Sequence, residues 1–174
     1  SYNRKKHELD KIFASIHAKE GIKILEGLDL LEELDLENLN KVKDYSDLIG
    51  IWAMINSKVY PFTKNEKELI KNINLVNKKD NLNPYILYKY GLYVNTIAGI
   101  NKGIDKVKIN KTYNDLPIKC RSDINISALE ICNLLKKEPS SFLNIIYDNL
   151  EKEILNGTLQ NDKDIIKKYI LKNF

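Results

Sequence analysis

Paired carboxylates are the first residues in this sequence that could do chemistry. Glu33, Asp35 and Glu37 stand two apart in "ELDLE", with Asp29 just before them. Carboxylates spaced i, i+2 can share a magnesium ion in nucleotidyl transfer when a rigid strand holds them beside a phosphate-binding loop. Here they lie among Leu28, Leu30, Leu31, Leu34 and Leu36. That context predicts a short helix whose acids form a solvated outer face. His7 and His17 are ten residues apart, which puts them on different sides of a helix and disfavours a shared metal. Cys120 and Cys132 would need an aligned base to act as nucleophiles, and neither has a histidine close in sequence. Cys132 falls on the apolar side of a predicted helix and reads as core. There is no Gly-rich phosphate loop, His-Glu-x-x-His or Cys-x-x-Cys pattern. No catalytic residue, metal ligand or cofactor is therefore assigned to the chain itself.

Charge offers more. The net charge is +4, and residues 101–121 carry all of it: Lys102, Lys106, Lys108, Lys111, Lys119 and Arg121 against Asp105 and Asp115. Lys136 and Lys137 follow the same connector. Lysines without their usual acids suit a phosphate-contacting face, and a solvated lysine surface is the alternative. Tyr85, Tyr88, Tyr90 and Tyr93 crowd one apolar segment. Beside lysines they could stack on unpaired bases, but at helical spacing amid Ile, Leu and Val tyrosines are more often core or rim residues. Glu20 to Glu37 leans the other way, with seven acids against Lys23 alone.

The elements that must position these residues read as helices. Leu9, Ile12, Phe13 and Ile16 repeat at i, i+3, i+4, i+7. The Tyr45–Ser57 segment predicts a buried helix with Trp52 inside. Pro61 breaks the chain, and Thr63 with Glu66 forms a capping box that opens a helix on Leu69, Ile70, Ile73 and Val76. Pro84 suits a first helical position. Residues 101–112 are expected to form one basic helix with Ile100, Ile104, Val107 and Ile109 inward. Pro117 breaks again, and Ser127 with Glu130 is a second capping box. Pro139 and the serines after it open a helix on Phe142, Ile145, Ile146, Leu150 and Ile154, with Gly157 where a helix C′ glycine belongs. A last helix, from Asp162 to Leu171, uses Ile165, Ile166, Tyr169 and Ile170. Strand alternation never persists, so the expected class is all-α, an irregular array of eight to ten helices. The expected division is 1–112 and 113–174.

At 174 residues the chain can bury roughly 70% of its unfolded surface without disulfide or metal. The two cysteines suit a reducing cytoplasm, and no apolar run approaches a membrane span. The first residue is Ser1 and the only methionine is Met54, so a piece of a longer protein is expected.

Two stretches carry a family likeness. "SYNRKKHELDKIF", through Ser1, Arg4, Glu8 and Lys11, fits an S-x-E-R-I-x-x-E-x-x-K segment, with Arg4 and Glu8 spaced to pair on one helix face. In the tail, Leu116, Pro117, Ile118, Asp123, Ile124, Ile126, Pro139, Gly157, Leu159 and Asn161 fit a second pattern across about 45 residues. Both resemble the region after the catalytic part of bacterial tRNA nucleotidyltransferases (CCA-adding enzymes) and related poly(A) polymerases. Lys5, Ala128 and Ser140 depart from it. The resemblance implies that residues 1–112 begin at the last neck helix and continue as the body, and that 113–174 form the tail. It implies a region that grips tRNA at the acceptor stem and TΨC elbow while a separate N-terminal head, using magnesium with CTP and ATP, extends the 3′ end. The family's Glu-Asp-x-x-Arg base-reading motif is absent. Under this reading Lys102, Lys106, Lys108, Lys111, Lys119, Arg121, Lys136 and Lys137 contact RNA, and no residue is catalytic. A helical protein-interaction module with an incidental basic face is the alternative. A DNA-binding helix pair at 127–155 is weaker, because its second helix is acidic (Asp148, Glu151, Glu153).

Overall fold

The computed structural model describes all 174 residues, which form nine α-helices and two short 3-10 turns with no strand. The all-α expectation holds. By contact, the chain divides into two compact units, each discontinuous in sequence. The first takes residues 1–81 and 90–110, the second 82–89 and 111–174.

The N-terminal unit holds α1 (Tyr2–Phe13), α2 (Ala18–Glu26), α3 (Leu48–Ile55) and α4 (Lys64–Val76). It also holds the second part of α5 (Pro84–Asn101). α1 packs on α2, and α3 on α4. Leu9, Phe13, Ile22, Leu36, Leu39, Ile51, Trp52 and Ile55 form the core. Trp52 meets Phe13, Tyr60 and Phe62 at ring-centroid distances of 5.2, 4.9 and 5.3 Å. Its indole N–H donates to Asp10 at 2.7 Å, and buried Lys6 bridges Asp10 at 2.7 Å and Glu66 at 3.3 Å. Burial favours a neutral Lys6, but the two carboxylates prevail and hold its ammonium above the ordinary range. The Thr63–Glu66 capping box forms as predicted.

Three apolar expectations fail here. α1 ends at Phe13, so Ile16 lies 94% exposed beyond the stripe. The leucine-rich acidic stretch winds as turns rather than a helix, because Asp29 and Asp35 take left-handed φ of 52° and 54°. Only Leu36 of its five leucines is fully buried. Val107 points outward, 71% exposed.

The C-terminal unit holds the first part of α5, the end of α6 (Lys106–Asn114), then α7 (Ala128–Leu135), α8 (Phe142–Leu155) and α9 (Lys163–Asn173). α7 packs against α9. Leu87, Ile118, Ile131, Leu150, Ile166 and Ile170 are fully buried. The Ser127–Glu130 capping box is present, and Lys163 reaches the same Glu130 at 2.7 Å. At Gly157, φ is +75°, and the Gly157 and Thr158 N–H groups return to the Ile154 and Glu153 carbonyls. This is the expected C′ glycine. Cys132 is buried, as core. Ile145 instead points out, 63% exposed.

Candidate nucleic-acid interface

The basic window does not form one helix. α5 ends at Asn101, and Gly103, at φ +77°, closes it: its N–H bonds the Ile100 carbonyl and the Ile104 N–H the Gly99 carbonyl. Asp105 then opens α6 by accepting the Val107 N–H at 2.9 Å. Lys102 therefore lies in the turn, on a different helix phase from Lys106 and Lys108. That new phase is also why Val107 faces outward.

Each basic residue has a distinct setting. Lys102 donates to the carbonyls of Val76, at 3.2 Å, and Lys79. A cation is favoured at this C-terminal end of α4, where Val76 is the last helical residue and Lys79 lies just beyond it. Burial still draws its ammonium below the ordinary lysine range, with Asp80 opposing. Lys106, Lys108 and Lys111 are exposed along α6. Lys108 and Lys111, three apart, are neighbours on one face of α6.

In the C-terminal unit Lys119 donates to the Asn114 carbonyl at 3.2 Å and lies 5.9 Å above the Tyr113 ring. The Lys119 and Cys120 N–H groups donate to Asp123 at 2.7 and 3.1 Å, which holds that carboxyl below its usual range. Lys136 ends α7 in a left-handed conformation, φ 53°, and Lys137 rests 5.5 Å over Phe142. Both are exposed.

Arg121 differs most from the expected open cation. Its guanidinium binds Glu151 at 2.7 Å, Asn144 at 3.3 Å and Asp148, 5.4 Å from the Tyr147 ring. The bond to Glu151 and the charge of Asp148 hold it firmly protonated. Glu151 is buried and also bonds the Tyr88 phenol, whose pKa burial and that carboxylate push up. Tyr85, Tyr88, Lys89, Lys119 and Arg121 line one open cavity of about 410 Å³. Of the four clustered tyrosines, two thus reach the C-terminal unit's basic surface. Tyr93 instead donates to Asp47, which caps α3.

Arg4 and Glu8 do not pair as expected. Lys11 takes Glu8 at 3.0 Å, three residues on in α1, while Arg4 stands in the helix's first turn. In the tail pattern the matching residues act as framework. Asn161 donates to the Asp123 carbonyl at 2.7 Å and accepts the Asn125 N–H at 2.8 Å, pinning that segment. The Tyr88–Glu151–Arg121 group was missed because its members come from three distant stretches. Four further lysines around α4 were also missed: Lys58, Lys67, Lys71 and Lys78.

This helical architecture is found in known proteins. The crystal structure of the Bacillus stearothermophilus CCA-adding enzyme in complex with CTP matches 99% of this chain and 52% of that one, with TM-score 0.77 and 13% identity. At that identity the match speaks for the fold. The family model for tRNA nucleotidyltransferase domain 2 matches residues 58–170, and the chain belongs to that family. A CCA-adding enzyme of Ligilactobacillus salivarius is 28% identical over 138 residues, covering 75% of this chain and 33% of that protein. One from Oceanobacillus iheyensis is 23% identical over 197 residues, covering 95% and 49%. The chain thus spans a third to a half of these relatives' length. No helix is long and apolar enough to cross a membrane.

Proposed function

We propose that this chain is the tRNA-binding body and tail of a CCA-adding tRNA nucleotidyltransferase. It grips the acceptor stem and TΨC elbow while a separate N-terminal head, with magnesium and CTP or ATP, extends the 3′ end. The family membership over residues 58–170 carries this reading. The charge distribution supports it: the net excess lies in one window whose lysines Lys106, Lys108, Lys111 and Lys119 are exposed. Lys136 and Lys137 add two more. A-form RNA offers phosphate rows and a major groove too deep for side chains to read, so spaced lysines on rigid helices suit it. Lys102 holds elements of the N-terminal unit in place, and Arg121 does the same within the C-terminal unit.

The test is a polarisation titration against an acceptor–TΨC minihelix and a matched DNA duplex at two salt concentrations. The minihelix should bind more tightly, and Lys106→Glu with Lys108→Glu should weaken it. Equal affinity for both nucleic acids would overturn the elbow reading. Minihelix affinity unchanged by the charge reversals would place the contact elsewhere.

A further inference from the structure

The N-terminal unit carries an open groove of about 420 Å³, away from the basic window in sequence, between the Asn56–Phe62 segment and α4. Its volume lies within the range of small-molecule sites. Ile70 and Leu75 of α4, with the edges of Tyr60 and Phe62, give it an apolar floor. Four lysines rim it: Lys58 on the segment, Lys67 and Lys71 on α4, and Lys78 in the turn just after it. Lys67, Lys71 and Asn74 repeat at i, i+4, i+7 and so share one face of α4, and Lys78 follows in the turn that ends it. None of the four lysines is in an ion pair, and no carboxylate lines the groove. Asp35 lies behind, bound to the Ser57 hydroxyl.

Unpaired lysines around an apolar floor call for a ligand that is flat and apolar at one end and multiply anionic at the other. The amides narrow the class. The Asn56 carbonyl oxygen accepts from Lys58 at 3.0 Å and from Asn74 Nδ2 at 3.3 Å. That leaves the Asn56 amide N–H and the Asn74 carbonyl oxygen as a donor and an acceptor for a heteroaromatic edge. We propose that this groove binds a nucleoside phosphate, its base on the apolar floor and amide pair, its phosphate on the lysine rim. The ligand is either a free nucleotide or one unpaired nucleotide of an RNA strand. The proposal stands independently of elbow binding.

Trp52 is the only tryptophan, and it touches both Tyr60 and Phe62, so its emission reports on the groove. The full chain is titrated with CMP, AMP, a single-stranded RNA trinucleotide, cytidine and inorganic phosphate, with calorimetry as a second readout. Saturable binding of a mononucleotide or the trinucleotide supports the site, and which of the two binds more tightly identifies the source. Lys71→Glu should weaken it by about tenfold, the scale of one charge-assisted bond, and Lys71→Arg should largely restore it. Lys106→Glu should leave it unchanged while weakening minihelix binding. Absence of saturation by both nucleotide forms, equal binding of inorganic phosphate, or indifference to Lys71→Glu overturns the proposal.

Discussion

Asn161 shows how much one amide can do. Its two hydrogen bonds tie the chain after α8 to the 123–125 segment, in place of a backbone partner that irregular chain cannot supply. Asn161→Ala should cost the C-terminal unit about 1–3 kcal/mol, measured by denaturant unfolding; a loss within error would reduce the contact to decoration. Glu130 makes a different prediction. The Lys163 bond, then the Ser127 N–H and hydroxyl, lower its pKa from 4.5 to about 2. A carboxylate with a depressed folded pKa stabilises above its unfolded value and loses that contribution as pH falls. The wild-type melting temperature should therefore drop more steeply from pH 4.5 towards about 2 than that of Glu130→Gln. Parallel profiles would refute the assignment. Asp123, lowered by the Lys119 and Cys120 N–H groups, acts in the same direction and remains in both proteins.

At the scale of elements, the chain was legible where the signal is short-range. The Thr63 and Ser127 boxes, Pro84 at the start of α5 and Gly157 after α8 all rest on partners within five residues. What escaped was helix interruption. Nothing in the leucine spacing of residues 28–36 announces that Asp29 and Asp35 adopt left-handed backbone, although both are residue types that tolerate it. Gly103 was such a signal, and reading past it joined Lys102 to the wrong helix. Pairings such as Arg121 with Glu151, thirty residues apart, have no local trace. Gly91 is the sharpest interruption: φ 76°, ψ 170° within α5, a region open essentially to glycine. A Cβ there meets nothing within 4 Å. Gly91→Ala should therefore cost about 1–3 kcal/mol through backbone strain alone. Denaturant unfolding measures it, and a neutral result would show that this kink relaxes.

For the whole molecule, electrostatics sets the terms of association. A net charge of +4 is modest, and most lysines elsewhere have acids to match. If four lysines neutralise phosphates, log K for the minihelix should fall against log salt with a slope of about −3 to −4. A slope near zero would mean that the lysine surface is not what the RNA meets. The family relation was legible because the tail motif residues are spaced by framework demands, as Asp123, Gly157 and Asn161 show. The RNA contacts were less legible. Sequence shows which residues are basic but not which of them, like Lys102, are already engaged by carbonyls.

Leu82–Lys89 belongs to the C-terminal unit although residues 90–110, which follow it, belong to the N-terminal one. A recombinant protein cut at residue 111 would lack fully buried Leu87 and leave Glu151 without its phenolic neighbour. A gene crossover at the same point would join one parent's tail to another parent's 82–89 segment, so chimeras exchanged there inherit a mismatched interior. Only grafts that carry both segments together transplant an intact module.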